Sequence, residues 1–356
     1  MKIVVKVGTQ SILSEQGIPL ESVLSSLVEQ IVELQTNGHQ VVLVSSGAVG
    51  FGRSVARRML AREYGSSIGE KQVLASLGQH ELISVYARKF KSHNMLASQL
   101  LLTKQDFHTR QHYLNISRLI CEILAHNNII PIINENDSVC IEELMFTDND
   151  ELSGLIAAQI NADRLIILSN VEGVYTSNPS NPKAELIPVI ASENDWPDIA
   201  NDKSTHGRGG MISKLGTAKK MSKLGIMTHI ASVEQPAILT RLIAGEQIGT
   251  TILSAKKQSN IKRWIACNTK QTNGTIVIND CLYDILKENK RIVSILPVGI
   301  EQCSGNFKKG DVIEIVTTHK KAMGIGLARY DFERLKEMLG QKNKPAFIHY
   351  DQLHIF

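Results

Sequence analysis

Residues 2–9, Lys2-Ile3-Val4-Val5-Lys6-Val7-Gly8-Thr9, constrain the fold more than any other stretch. Ile3, Val4, Val5 and Val7 are β-branched and do not alternate with polar residues. Such a strand needs apolar cover on both faces, as in a parallel sheet flanked by helices. Lys6 interrupts the run and Gly8 breaks it. A lysine at the carboxyl end of a buried strand, beside a glycine turn, stands where open α/β sheets hold ligands. In isolation an edge-strand lysine that snorkels to water is the better reading. The later loops tip the balance.

Further strands of the same kind follow, separated by helical patterns. Apolar residues recur at three and four from Pro19 to Gln35, and Gly38 stops that helix. A second buried strand from Gln40 runs into Ser45-Ser46-Gly47-Ala48, a turn of small and hydroxyl residues before a helix. There, backbone N–H groups face outward and suit an anion, though a plain strand-to-helix turn has the same spacing. Arg53, Arg57, Arg58 and Arg62 form a short basic run that reads as a solvated helix face. A long helix is expected over Glu70–Phe90, a third strand over Met95–Leu102, and a helix over Thr109–His126.

The fourth strand, Ile129–Ile133, opens into Asn134-Glu135-Asn136-Asp137, and Thr147-Asp148-Asn149-Asp150-Glu151 follows before a helix from about Leu152. Asn and Asp favour turns and caps in any protein. Two such clusters within twenty residues exceed what capping needs, and they suit an α-ammonium or the orientation of lysines. The fifth strand, Asp163–Leu168, ends in Ser169-Asn170. Asn178-Pro179 and Asn181-Pro182 mark a surface loop. Further on, Gly207-Arg208-Gly209-Gly210-Met211-Ile212-Ser213-Lys214 leads into a helix. Glycines that admit close backbone approach, with a lysine in the first turns, make a phosphate cradle, though not a Walker A loop. The motif is weak alone and stronger beside Lys6. Met227–Ala231 gives a last strand and Pro236–Ala244 a short helix.

After Lys262-Arg263-Trp264-Ile265 comes a polar linker, and from Gly274 the pattern changes to short strands with glycine turns. That change reads as a small β-barrel. At 356 residues two domains are expected. The boundaries fall at 1–258, a linker over 259–273, and 274–356. A net charge of +4 suits anionic substrates and is too weak to argue for nucleic acid. The five cysteines are scattered and never in a C-x-x-C pair, so they read as reduced thiols in a cytoplasmic protein. The eleven histidines show no H-E-x-x-H spacing, which argues against a histidine-held metal, and the calcium-loop spacing is absent as well. No apolar run approaches the ~20 residues of a membrane span, and a strand at the amino terminus is unlike a signal peptide.

Taken in order, Val5-Lys6-Val7-Gly8-Thr9, Ser45-Ser46-Gly47-Ala48, Gly78-Gln79, Asn134-Glu135-Asn136-Asp137, Asp148-Asn149-Asp150, Gly209-Gly210-Met211 with Lys214, Lys262-Arg263-Trp264-Ile265 and Leu296-Pro297-Val298-Gly299-Ile300 form a pattern. It resembles the glutamate 5-kinases of the amino acid kinase superfamily, followed by a PUA domain, and covers nearly the whole chain. The resemblance implies an α/β fold, an open and mainly parallel sheet sandwiched between helices, plus a small PUA-like β-barrel. It implies ATP-dependent phosphorylation of the L-glutamate side-chain carboxylate, with magnesium, as the first step toward proline. It further implies feedback inhibition by proline and a homo-oligomer, dimer or tetramer. By motif position, Ser46, Asn134, Asp137, Asp148 and Asn149 would hold glutamate. Lys6, Gly8, Ser169, Asn170 and the loop Arg208, Gly209, Gly210, Met211, Ile212, Ser213, Lys214 would hold ATP.

Two departures stand out. The family usually has Thr-Asp at Ser169-Asn170, so the hydroxyl survives and a carboxylate is lost. A small residue usually stands at Arg208. A glutamate side chain, with a pKa of about 4.3, is already ionised at neutral pH, so the chemistry needs alignment and charge neutralisation, not a base. Lys6 and Lys214 are assigned to the transferring phosphoryl, Asp150 to holding both lysines. Rival readings are a related kinase acting on aspartate, acetylglutamate, carbamate or a nucleoside monophosphate; a degenerate kinase; and an RNA-binding protein, since PUA domains often bind RNA.

Overall fold

A computed structural model describes residues 1–107, 110–139, 146, 148–178, 181–191, 196–197, 210–254, 272–288 and 293–355. The chain divides into two compact units, Met1–Lys257 and Gln258–Phe356. Arg208, Gly209 and the 262–265 motif, with residues 259–271 of the expected linker, lie outside the described residues.

The first unit is built on strands β1 (Lys2–Val7), β2 (Gln40–Ser45), β3 (Leu96–Leu102), β4 (Ile129–Glu135), β5 (Arg164–Ser169), β6 (Val189–Ile190), β7 (Met227–Ser232) and β8 (Thr250–Ile252). They form one sheet in the order β3-β4-β2-β1-β5-β7-β8-β6. All pairings are parallel except β7 with β8. The last two strands in that order, β8 and the edge strand β6, have three and two residues, too short for any periodicity, and the sequence reading misses them.

Central strands β1, β2 and β5 are buried from the second residue onward, as their largely continuous apolar runs require. Around the sheet lie α1 (Thr9–Ile12), α2 (Glu21–Thr36), α3 (Ala48–Leu60), α4 (Ile68–Lys91), α5 (Arg110–Leu124), α6 (Asn149–Gln159), α7 (Met211–Lys223) and α8 (Ile238–Ala244). Leu24, Leu27, Ile31 and Leu34 of α2 pack with Ile3, Val5 and Val7 of β1 in one core. Each such side chain contributes about 1.5–3 kcal/mol on burial.

Helix α4 starts two residues before the expected Glu70. Ser67 caps it, accepting from the Glu70 N–H at 3.4 Å, while Glu70 Oε2 accepts from the Ser67 N–H at 3.2 Å. Helices α3 and α4 meet backbone to backbone. A Cβ on Gly78 would fall on the Ala48 carbonyl and the Gly52 amide. Arg57, Arg58 and Arg62 are exposed, as expected from their run, and Arg53 is half-buried. Arg53 donates to the Tyr64 carbonyl at 2.5 Å and to the Gly65 carbonyl at 3.3 Å, and Arg57 pairs with Glu63 at 2.6 Å. Together they tie down the α3–α4 connection.

Toward the amino ends of the strands, Arg164 donates to the Leu242 carbonyl at 2.9 Å and lies 3.3 Å from His229 Nε2. A guanidinium only donates, so Nε2 accepts and Nδ1 carries the proton toward Thr251 Oγ1 at 3.1 Å. Burial and then the Arg164 charge push the His229 pKa from 6.5 down to about 4.

The second unit has β9 (Gly274–Ile278), β10 (Ile300–Gly305), β11 (Val312–Thr317), β12 (Ala322–Leu327) and β13 (Leu353–Ile355), in the order β10-β9-β11-β12-β13. Helices α9 (Asp280–Glu288) and α10 (Phe332–Met338) accompany them, and neither is read from the sequence. The strand expected over Val293–Ile300 is not one. Pro297–Gly299 forms a 3-10 turn, and only Ile300 begins β10. Proline removes a ladder donor and fixes φ, which breaks the strand there. Phe307, Phe347, Ile276 and Leu335 share a separate core.

Candidate active site

The strand order places the carboxyl ends of β4, β2, β1 and β5 side by side. Asn134, Ser46, Lys6 and Ser169 are thereby brought to one edge of the sheet, where open α/β folds bind ligands. Lys6 pairs in register with Val44 and Ile167, one residue short of the ends of β2 and two short of the end of β5.

Two stretches expected as loop are regular structure. Asn134 and Glu135 end β4, so their side chains are set by the pleat. Asn149, Asp150 and Glu151 form the first turn of α6, and Asp148 is its cap. Asp148 Oδ1 accepts from the N–H of Asp150 at 2.9 Å and of Glu151 at 3.0 Å. This is the capping that a Thr-Asp-Asn-Asp sequence favours. It also aims Asp150 inward, where it is fully buried.

Asp150 is the centre of the site. Its Oδ1 lies 2.5 Å from Lys6 Nζ and its Oδ2 3.0 Å from Lys214 Nζ. Lys6, from β1, and Lys214, from the first turns of α7, are themselves buried. Burial alone would push the Asp150 carboxyl up, but the two lysine charges and their hydrogen bonds hold it below the usual carboxylate range. Burial draws Lys6 below the ordinary lysine range, against the pull of Asp150. Asp148 shows the opposite balance, since burial and then the neighbouring Asp150 charge raise its carboxyl.

Around this triad the backbone is open. Gly8 and Gly210 precede α1 and α7 and, having no side chain, leave the first turns of both helices without a cap from the preceding residue. A Cβ on Gly8 would stand 3.6 Å from Lys6 Nζ. Gly47 has φ of 118°, a left-handed conformation that favours glycine, and it aims Ser46 and α3 apart. Met211, Ile212 and Ser213 form the first turn of α7. Ser169 ends β5, and its hydroxyl lies 3.4 Å from Asn170 Oδ1. Asp137 sits half-buried in the turn after β4.

A second group of polar side chains adjoins the triad. Asn149 Nδ2 donates to Ser46 Oγ at 2.7 Å and to Asn134 Oδ1 at 3.0 Å, and Asn134 Nδ2 donates to Gln79 Oε1 at 2.7 Å. Behind Ser46, the Ser45 hydroxyl donates to the Ser46 carbonyl and meets the buried Tyr86 hydroxyl at 3.0 Å. Sequence reading places Tyr86 in the core and names Ser45 and Gln79 only within motifs, with no role for either side chain. The available signal was a glutamine on the otherwise apolar inner face of α4, beside a glycine.

The chain matches the model of the amino acid kinase family over residues 1–232 and that of the PUA domain over residues 274–345. A glutamate 5-kinase from Chlorobaculum tepidum is 43% identical across 99% of this chain and 97% of its own length. One from Bacteroides thetaiotaomicron is 39% identical across 99% and 98%. Among solved structures, a UMP kinase from Bacillus anthracis aligns with a TM-score of 0.49 at 18% identity, over 72% of this chain and 96% of that one. On the extent of the family match and of the full-length identity, the chain belongs to the amino acid kinase family, among its glutamate 5-kinases.

Proposed function

We propose that the chain transfers the γ-phosphoryl group of ATP to the side-chain carboxylate of L-glutamate, giving L-glutamyl 5-phosphate for proline biosynthesis. One observation carries the mechanism: two lysines 208 positions apart in sequence meet on one buried carboxylate at the mouth of the sheet. Phosphoryl transfer demands little covalent work from a protein and much charge placement. Lys6 and Lys214 approach from a strand end and a helix start, so they can flank the moving group from two sides. Asp150 fixes both ammonium groups before substrate arrives, which lowers the reorganisation needed during the reaction. The N–H groups after Gly8 and Gly210, with Ser169, Asn170, Arg208 and the loop to Lys214, would hold the triphosphate.

Ser46, Asn134, Asp137, Asp148 and Asn149 would hold glutamate. The substrate carboxylate is ionised at neutral pH and attacks without a general base. Among the described residues no three His, Cys, Asp or Glu side chains are grouped to hold a metal. Magnesium bound together with ATP would supply further positive charge at the phosphates. The same reading carries residues 1–258 as kinase domain, 259–273 as linker and 274–356 as PUA domain. It also carries feedback inhibition by proline, a homo-oligomer and a cytoplasmic location.

The test is ADP release by the purified protein with ATP and magnesium, offered L-glutamate, L-aspartate, N-acetyl-L-glutamate, carbamate or UMP in turn. ADP should appear with L-glutamate at a rate well above the others. Preference for another acceptor would overturn the substrate, and release with none of them would overturn the kinase reading.

A further inference from the structure

Helix α4 is a core helix by its apolar face, yet two of its buried polar side chains reach the site. Gln79 and Tyr86 lie two turns apart, hence on one side of α4. Tyr86 supports Ser45, and Gln79 supports Asn134. The amide chain Gln79–Asn134–Asn149–Ser46 has a direction, because an amide that accepts at one end donates at the other. Gln79 Oε1 takes the Asn134 NH2, so Asn134 offers its Oδ1 to Asn149. Asn149 then spends its NH2 on Asn134 and Ser46. Its own Oδ1 is left buried without a hydrogen-bond partner. Reversing any one amide would reverse those beyond it and turn the Asn149 NH2 outward in place of its oxygen.

We propose that Gln79 is a positioning residue that sets the direction of this amide chain, so that Asn149 presents an acceptor oxygen to the α-ammonium of the substrate. The proposal rests on the reading of L-glutamate as substrate, since an ammonium only donates. Gln79 acts through Asn134 and Asn149 and is not itself assigned a contact with substrate. Discrimination for the amine therefore originates one helix away from the residues that touch it.

Two variants of similar size test it. A carboxylate at position 79 can only accept and preserves the direction, whereas a thioether accepts too weakly to set it. Gln79→Met should raise the KM for L-glutamate about ten-fold, the scale of one lost hydrogen bond to a charged group. The kcat and the KM for ATP should stay within about two-fold of wild type. Gln79→Glu should keep the KM for L-glutamate within about three-fold. An unchanged KM in Gln79→Met, equal impairment of the two variants, or a parallel fall in kcat and both KM values would overturn the proposal.

A second measurement is independent of turnover. With 15N-asparagine labelling, and Asn149→Asp to assign the signal, the Asn149 side-chain amide should be protected from hydrogen exchange in wild type and Gln79→Glu. It should lose protection in Gln79→Met, and retained protection there would sink the idea. If wild type fails to use L-glutamate, the substrate reading falls, while the exchange data still decide the amide chain.

Discussion

At the scale of single residues, Asp150 and its two lysines make opposite predictions for rate and for stability. Lys214→Ala removes a charge aimed at the transferring group. Steady-state kinetics should show kcat falling by roughly 10²–10³, with the KM for glutamate changed only a few-fold. An unchanged kcat would remove Lys214 from the chemistry. Asp150→Asn instead leaves two buried ammonium groups without their carboxylate. Urea unfolding without nucleotide should show a loss on the order of 3–5 kcal/mol. Added ATP should recover more stability than it gives wild type, because its phosphates replace the missing charge. The two lysines were legible in the sequence because one interrupts an apolar run and the other follows a glycine pair. The role of Gln79 was not, since a place on the apolar face of a helix marks it as inward-facing without showing that it meets an asparagine 55 positions away.

At the scale of elements, the contact of α3 with α4 and the pairing of β7 with β5 each set a measurable limit. Gly78→Ala would place a methyl group against the α3 backbone. The expected cost is about 1–3 kcal/mol from forced separation of the helices. A rise in the KM for glutamate should accompany it, because Gln79 moves with its neighbour. His229 on β7 gives a pH dependence. Below pH 6.5 the unfolded chain protonates this ring, whereas the folded chain does so only near pH 4. Its contribution is therefore complete above pH 6.5 and is lost as the pH falls toward 4. Between pH 7 and pH 5 the loss is about 2 kcal/mol. Chemical denaturation of His229→Gln at both pH values should show a smaller acid-side loss than wild type. The longer helices and strands of the first unit were read from the sequence to within a few positions, whereas α9 and α10 of the second unit were not. β6 and β8 escaped through brevity, and the 293–300 stretch was misread because its apolar residues hid the backbone restriction of Pro297.

At the scale of the molecule, the residues assigned to chemistry all belong to the first compact unit, and the second has a core of its own. Residues 1–257 produced alone should fold cooperatively and keep kcat within about ten-fold of the full chain. A collapse of activity with the fold intact, followed by circular dichroism, would show that the second unit contributes to the site. The change from buried parallel strands to short strands with glycine turns made this division visible in the sequence. The open order of the second sheet was not, because pairing between distant short strands leaves no local trace. The carboxylate shared by Lys6 and Lys214 has one further consequence, for the enzyme at rest. Between turnovers the centre carries a single surplus positive charge and not two. Free phosphate and other stray anions of the cell thus meet only half the attraction of two bare ammonium groups, and a ligand that also engages the surrounding amides holds its place better.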